Sequence, residues 1–379
     1  MFYIIEYSYN PNTASCNRLF GYFRQWDKMG IEAIVYYLAP NAEYDKVTEN
    51  FQHIKFEYCW NKLIPYKKFI KRYFINKYIQ KIIKQLVPGD VVYTYSISLI
   101  TEQCLTVSGV KVFAEVTEHP KACCNVYDPT LIIDEVSYSK TIMHLDGLFV
   151  ISNALKEYYQ ECGIQPSKIH IINMTVDATR FSNVKKTHTQ TRYIAYCGTV
   201  SNKKDGVDEL IKAFYYVVKK YHDCKLMIIG KTPRKHEKSD NVALIQKLHL
   251  TNNVIFTGMV SSNEIPQILM NADVLVLDRP DNIQARYGFP TKLGEYLLTG
   301  NPVVITSVGD IPLFLQDGVS ALIAQPSNAE DFAAKVLWAL DNEKEALIIG
   351  EKGKQVALKS FNSIIEAEKI ISTIQSIAR

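Results

Sequence analysis

At 379 residues the chain is long enough for two domains of about 180 residues each, both with sizeable cores. Its 47% hydrophobic and 22% charged content is that of a globular protein, and a net charge of +4 excludes a polyanion-binding role, nucleic acid included, resting on charge alone. The eight cysteines are scattered with no C-x-x-C pair, which excludes a paired-cysteine metal site and points to a reducing cytoplasm.

Taken in order, strand-like and helix-like stretches alternate, the pattern of parallel sheets with crossover helices. Residues 2–7 read as a first core strand rather than a signal peptide, because no charged region or cleavage site accompanies them. A helix over 17–29 closes at Gly30, and strands follow at 31–38, 56–58, 91–95, 111–116 and 146–151. A helix over 153–162 and a strand over 169–172 complete the first half. The polar, unpatterned stretch 182–191 is the expected linker. The same grammar then restarts, with strands at 192–197, 225–230, 253–258, 273–277 and 302–306 and helices at 207–221, 328–340 and 364–377. The expected domains are 1–185, 186–360 and a closing helix within 361–379 that packs back on the first. Ligands in such sheets bind beyond the carboxyl ends of the strands.

The stretch from Arg286 to Pro302 reads as a loop feeding a short helix, with Gly288 in the turn, Pro290 in the first helical turn and Gly300 and Pro302 as stop signals. Leu293 and Leu297 fall on one face, Thr291, Glu295 and Thr299 on another. N–H groups of Gly288, Phe289, Thr291 and Lys292 at the positive end of the helix dipole make an anion site, which the Lys292 ammonium strengthens. Glu295, one turn on, is an acceptor suited to both hydroxyls of a ribose. Together these residues read as a cradle for a nucleoside diphosphate.

The phrases YCGTVSNKKDGVDELIKAF (196–214), KLMIIG (225–230), NVIFTGMVSSNEIPQILMNADVLVL (253–277), GFPTKLGEYLLTGNPVVIT (288–306) and DGVSALIAQPSNAEDFAAKV (317–336) occur in that order. With FVISNALKEYYQECGIQPSKIHIINMTVDATRF (149–181) they resemble the retaining, GT-B-fold glycosyltransferases of family four over about 230 residues. The resemblance implies an α/β protein of two doubly wound, Rossmann-like domains facing across a cleft. The second would bind a nucleotide-sugar, which serves as donor substrate rather than cofactor.

Residue by residue, the resemblance places Thr199 where the family has a diphosphate-binding arginine, so a hydroxyl remains but the charge is lost. Lys204, before Asp205-Gly206, takes the place of the lysine that grips the same phosphates, with Lys203 as a substitute. Glu295 matches the second glutamate of the E-x7-E motif, whose first position is here Tyr287. Tyr287 offers a phenol in its place, or Arg286 and Asp281 take part, and spacing does not choose among them. Lys292 is a second departure, one that compensates for the charge missing at Thr199. In the first domain, Glu118 and His119 follow a strand where the family places a histidine near the donor sugar, and they are the candidate catalytic pair. No D-x-D, H-E-x-x-H or paired cysteines announce a metal, so the lysines and the helix dipole are expected to do its work.

Between Tyr58 and Gly89 there is no acidic residue, while lysines and an arginine interleave with aromatic and aliphatic residues. Residues 62–84 thus read as a basic amphipathic helix lying on an anionic membrane surface, which suits a lipid-linked glycan acceptor. The expected protein is cytoplasmic, peripheral at the inner face of the plasma membrane, and builds a cell-surface polysaccharide. A nucleotide-sugar epimerase sharing the fold and a non-catalytic nucleotide-binding subunit are the competing readings. Thr199 and Tyr287 keep the second of them open.

Overall fold

The computed structural model describes residues 1–11, 13–38, 46–59, 68–123, 134–187, 191–232 and 234–378, and within these the side chains of 68–72 and 123 are not described. The chain divides into two compact units, Met1–Asn173 with Ser363–Arg379, and Met174–Asn362. The polypeptide therefore passes from one unit to the other at Asn173/Met174, ahead of the polar stretch 182–191. Residues within that stretch are bound to the second unit. Lys186 Nζ donates to Ala272 O at 3.0 Å and the Thr187 N–H to Asn271 Oδ1 at 2.9 Å.

The first unit carries strands β1 (Phe2–Glu6), β2 (Ala33–Tyr37), β3 (Ile54–Tyr58), β4 (Val91–Tyr95), β5 (Lys111–Val116), β6 (Gly147–Val150) and β7 (Ile169–Ile171). They form one parallel sheet in the order β3-β2-β1-β4-β5-β6-β7. The central strands are mostly apolar on both faces, as a sheet covered on both sides requires, with Glu6 and Glu115 as buried charged exceptions. The helix Ala14–Lys28 is capped by Thr13 and buries Leu19, Phe23 and Trp26. Trp26 is wholly buried, and its indole N–H donates to Ala367 O at 2.9 Å on the closing helix Ser363–Ala378. Gly21 lets the two helices meet, since a Cβ there would stand 2.9 Å from Ser363 Cβ. That contact makes the last helix part of the first unit.

The second unit carries β8 (Tyr193–Cys197), β9 (Lys225–Ile229), β10 (Val254–Gly258), β11 (Val274–Leu277), β12 (Val303–Thr306) and β13 (Leu322–Ala324). Their parallel order is β10-β9-β8-β11-β12-β13, so the chain runs outward from β8 to β10 and then returns to β8's other side. The switch point between β8 and β11 leaves a crevice at the strands' carboxyl ends. The helix Val207–Lys220 turns Val207, Leu210, Ile211, Phe214 and Val217 into the core at helical spacing. Behind the helix Thr291–Leu298 packs Glu343–Ser360, an element absent from the expectations. Its Gly350 lies against the Gly300–Asn301 backbone and its Gly353 against Ser320, where a side chain would not fit.

Among the described residues, no helix is long and apolar enough to cross a membrane. Residues 62–67 of the basic stretch lie outside the described ones. The remainder forms the helix Lys68–Ile83, which buries Ile75, Ile79 and Ile82 and leaves Tyr73, Phe74, Lys77 and Lys81 exposed.

Candidate functional site

At the switch point of the second unit, β8 ends at Cys197 and the chain turns through Gly198 and Thr199. Tyr296, from the helix Thr291–Leu298, pins that turn: its hydroxyl accepts the Cys197 N–H at 2.6 Å. The Tyr196 hydroxyl oxygen lies 2.6 Å from Thr199 O. Ser201 then caps the short helix Asn202–Asp205 by accepting the Lys204 N–H. Gly206, in the left-handed region at φ 58°, joins that turn to the next helix and lies against the Asp278 carbonyl.

Beneath the turn sits Asp205, 1% exposed, which accepts from the Tyr196 hydroxyl at 2.7 Å and from the Lys292 ammonium. Arg279 Nε stands 3.9 Å from its other oxygen. Burial works against the Asp205 charge, but Lys292 and Arg279 outweigh it and hold the carboxyl below its ordinary pKa. Burial pulls the Lys292 pKa down, and Asp205 pulls it back up. The trio of Lys292, Arg279 and Asp205 thus carries one net positive charge. That charge lies directly under the Gly198 backbone, because a Cβ on Gly198 would stand 2.6 Å from Lys292 Cε. Lys292 is a half-buried, ion-paired ammonium brought to the Gly198–Thr199 turn. Thr199 is exposed there and Lys204 half-buried.

Thr291 and Lys292 open their helix, so their N–H groups have no intrahelical partner. Gly288 does not join them as expected. Its N–H is spent on Gln284 O at 3.1 Å, closing a short helix Ile283–Tyr287, and its φ of −98° is ordinary extended backbone rather than a glycine-specific turn. The Phe289 side chain also turns away, into an aromatic cluster with Phe314 at 5.5 Å and Phe361 at 5.3 Å. Tyr287 is half-buried, whereas Arg286 and Asp281 are exposed and pair with each other at 2.6 Å.

Glu295, one turn along, meets a partner the sequence did not reveal. Arg180 Nη1 donates to Glu295 Oε1, and Arg180 Nη2 donates to Ser262 O at 2.8 Å and to its Oγ at 3.2 Å. Burial raises the Glu295 pKa, and Arg180 offsets part of that rise. Arg180 stood within the phrase 149–181, but nothing in local spacing pairs it with a residue 115 positions on. Asp205 was more legible, directly after Lys204 in the phrase 196–214.

In the first unit, His119 follows β5 and is 4% exposed. Its Nδ1 accepts the Lys121 N–H at 3.1 Å, which places the ring proton on Nε2, and the ring lies 4.3 Å from that of Tyr158. Burial and then Lys121 lower its pKa, so the imidazole is neutral at pH 7. Glu118 beside it is half-buried. Glu115, further back on β5, is an internal anchor: Arg18 Nε donates to it at 2.5 Å and the Tyr93 hydroxyl donates to its other oxygen. Among the described residues, no cluster of three or more His, Cys, Asp or Glu is arranged to hold a metal.

Residues 191–342 match the family described as glycosyl transferases group 1. Over its whole length the chain has the GT-B fold. It is similar to HepE of Anabaena, solved in complex with UDP and glucose, with a TM-score of 0.74 at 15% identity over 99% of each chain. It is also similar to a glycosyltransferase of Rickettsia africae, with a TM-score of 0.76 at 16% identity over 100% of this chain and 98% of that one. Among curated relatives, N-acetyl-alpha-D-glucosaminyl L-malate synthase of Bacillus anthracis is 25% identical over 171 residues, 45% of this chain and 41% of that protein. The MMP alpha-(1->4)-mannosyltransferase of Mycolicibacterium hassiacum is 23% identical over 234 residues, 61% of this chain and 54% of that protein. The chain thus spans about half the length of the curated relatives it matches.

Proposed function

We propose that this chain is a retaining glycosyltransferase that takes a sugar from a nucleotide-sugar and passes it to a glycan acceptor, lipid-linked, in cell-surface polysaccharide synthesis. The observation that carries the reading is the half-buried, ion-paired Lys292 ammonium under the Gly198–Thr199 turn, with Glu295 one helical turn away. Positive charge at a helix N-terminus, beyond the carboxyl ends of β8 and β11, suits a diphosphate. Lys292 and the Thr291 and Lys292 N–H groups would stabilise the negative charge that grows on the departing nucleoside diphosphate. Being already oriented, by Asp205 and by the helix start, they need little reorganisation as that charge develops. Lys204 would meet the same phosphates, and Thr199 would donate a hydroxyl hydrogen bond. Glu295 would accept both ribose hydroxyls, and Tyr287 would face the sugar. His119, with its proton on Nε2, would donate a hydrogen bond to a sugar hydroxyl, with Glu118 beside it. Retention would follow from attack of the acceptor hydroxyl on the face the phosphate leaves.

The exposed Tyr73 and Phe74, beside Lys77 and Lys81, support contact with an anionic membrane surface, where a lipid-linked acceptor would be presented.

The test is thermal unfolding of the full chain with UDP, GDP and ADP and their sugars, repeated with Glu295→Ala. A nucleotide at 100 times its dissociation constant stabilises the fold by about 2.7 kcal/mol, and the variant should lose most of that. HepE is a UDP complex, so the uridine series is tried first. Stabilisation by no nucleotide would defeat the reading. Binding without sugar release would leave a nucleotide-binding subunit.

A further inference from the structure

The contact between Arg180 and Glu295 is the one feature at this site that ligand binding alone does not require. Arg180 lies on the 3-10 turn Ala178–Phe181, in the segment that enters the second unit. That segment is built onto the helix of Glu295. A Cβ on Gly294 would stand 2.9 Å from Met174 Cε and 3.0 Å from Val176 Cβ, so glycine lets the segment lie flush. Val176 is held from its other side, its N–H donating to Phe361 O at 3.0 Å. From this braced backbone Arg180 spends one guanidinium nitrogen on Glu295 and another on Ser262, in the loop that follows β10.

We propose that Arg180 is a positioning residue for the donor nucleotide, holding Glu295 as an aimed acceptor and locking it to the loop after β10. This rests on the reading of Glu295 as the ribose acceptor. The geometry is that of a forked donor: one planar group fixes the carboxylate and a backbone carbonyl at once, which a lysine's point charge does less well. It leaves the second Glu295 oxygen to receive ribose hydroxyls.

The groups facing Glu295 are Arg180, Asp177 and Lys292, with Cys197 beside it. Arg180 is the nearest cation, and burial otherwise favours the neutral acid. Without Arg180 the carboxyl would hold its proton to higher pH, and a protonated Glu295 would be a poorer acceptor for a pair of hydroxyls. Arg180→Gln should therefore make nucleotide binding sensitive to pH in a range where the wild type is not.

The experiment measures the dissociation constant, by calorimetry between pH 5.5 and 8.5, of whichever of UDP, GDP or ADP stabilises the wild type most. The chains compared are wild type, Arg180→Gln, Arg180→Lys and Glu295→Gln. Arg180→Gln should move the acid limb of binding up by about one pH unit, the least shift expected from losing an adjacent cation. That is about tenfold weaker binding at the acid end and little change at the alkaline end. Arg180→Lys should restore the wild-type limb in part. Glu295→Gln should be weak and flat with pH. If Glu295→Gln is weak while Arg180→Gln keeps the wild-type limb, Arg180 only braces the chain and the inference falls. If Glu295→Gln binds like wild type, or no nucleotide binds at all, the ribose assignment itself falls and takes the inference with it. The pH profile separates positioning from stability, because a loosened fold weakens binding at every pH alike.

Discussion

Gly198→Ala puts one methyl group onto a crowded point of the site. The new Cβ would stand 2.6 Å from Lys292 Cε, closer still to Nζ, and 2.9 Å from the Tyr196 hydroxyl. Ordinary contact is about 3.5–4.0 Å, so the tip of Lys292 must retreat by about 1.5 Å. The backbone at 198 is not in the left-handed region, so the strain falls on the lysine rather than on the chain. A retreat that lengthens the Lys292–Asp205 ion pair by about 1 Å loses about 1.4 kcal/mol at an effective dielectric constant of about 20. Weakening the charge-assisted hydrogen bond adds about 1 kcal/mol. Alanine returns about 0.7 kcal/mol by restricting the unfolded chain. The net loss of about 1.7 kcal/mol should lower Tm by about 5 °C for a domain of this size. Nucleoside diphosphate affinity should fall about tenfold. A double-mutant cycle with Lys292→Met decides the cause, because once the ammonium is gone the methyl has nothing to displace. If the two substitutions add independently, in stability and in affinity, the reasoning is wrong.

Two further expectations come from elsewhere in the chain. Asp278 is 1% exposed, its Oδ2 has no hydrogen-bond partner among the described residues, and burial, then Glu209 and Asp208, push its pKa from 3.8 up to about 8. The folded state holds this proton where the unfolded chain has lost it, so its stabilising contribution is full below pH 3.8 and drains away as pH rises to about 8. Asp278→Asn removes that titration, and its Tm should climb relative to wild type between pH 5 and 8 and then stay level; parallel melting curves from pH 5 to 9 would refute the assignment. The full chain should co-sediment with vesicles containing anionic lipid and release in high salt, and Tyr73→Ser with Phe74→Ser should weaken it several-fold. Equal sedimentation with neutral and anionic vesicles would contradict a basic membrane face.

The alternation of elements and the apolar strands were legible in the sequence, because a strand covered on both faces must be apolar along its length whatever its neighbours. The helix at 291 was legible too, since Pro290, Gly300 and Pro302 act within a turn or two of chain. So was the place of Glu295 one turn on from the helix start. The helix Glu343–Ser360 was not. Gly350 and Gly353 weaken a helix in isolation and make sense only against the Gly300–Asn301 and Ser320 backbones. The strand β13, three residues long, has too little pattern of its own and exists through its pairing with β12.

At the site the same division holds. Sequence by itself determined which residues carry charge and hydroxyls near two turns and one helix start, and that a lysine stood in an unusual place. Only the tertiary structure decided that this lysine is ion-paired with Asp205 beneath Gly198, that Gly288 spends its N–H on a preceding helix, and that Phe289 belongs to the core. Only it brought Arg180 to Glu295. The reason is range. Capping, periodicity and turn chemistry act over a few residues, whereas the Lys292–Asp205 and Arg180–Glu295 pairs join positions 87 and 115 residues apart, which meet only when parallel strands align their ends.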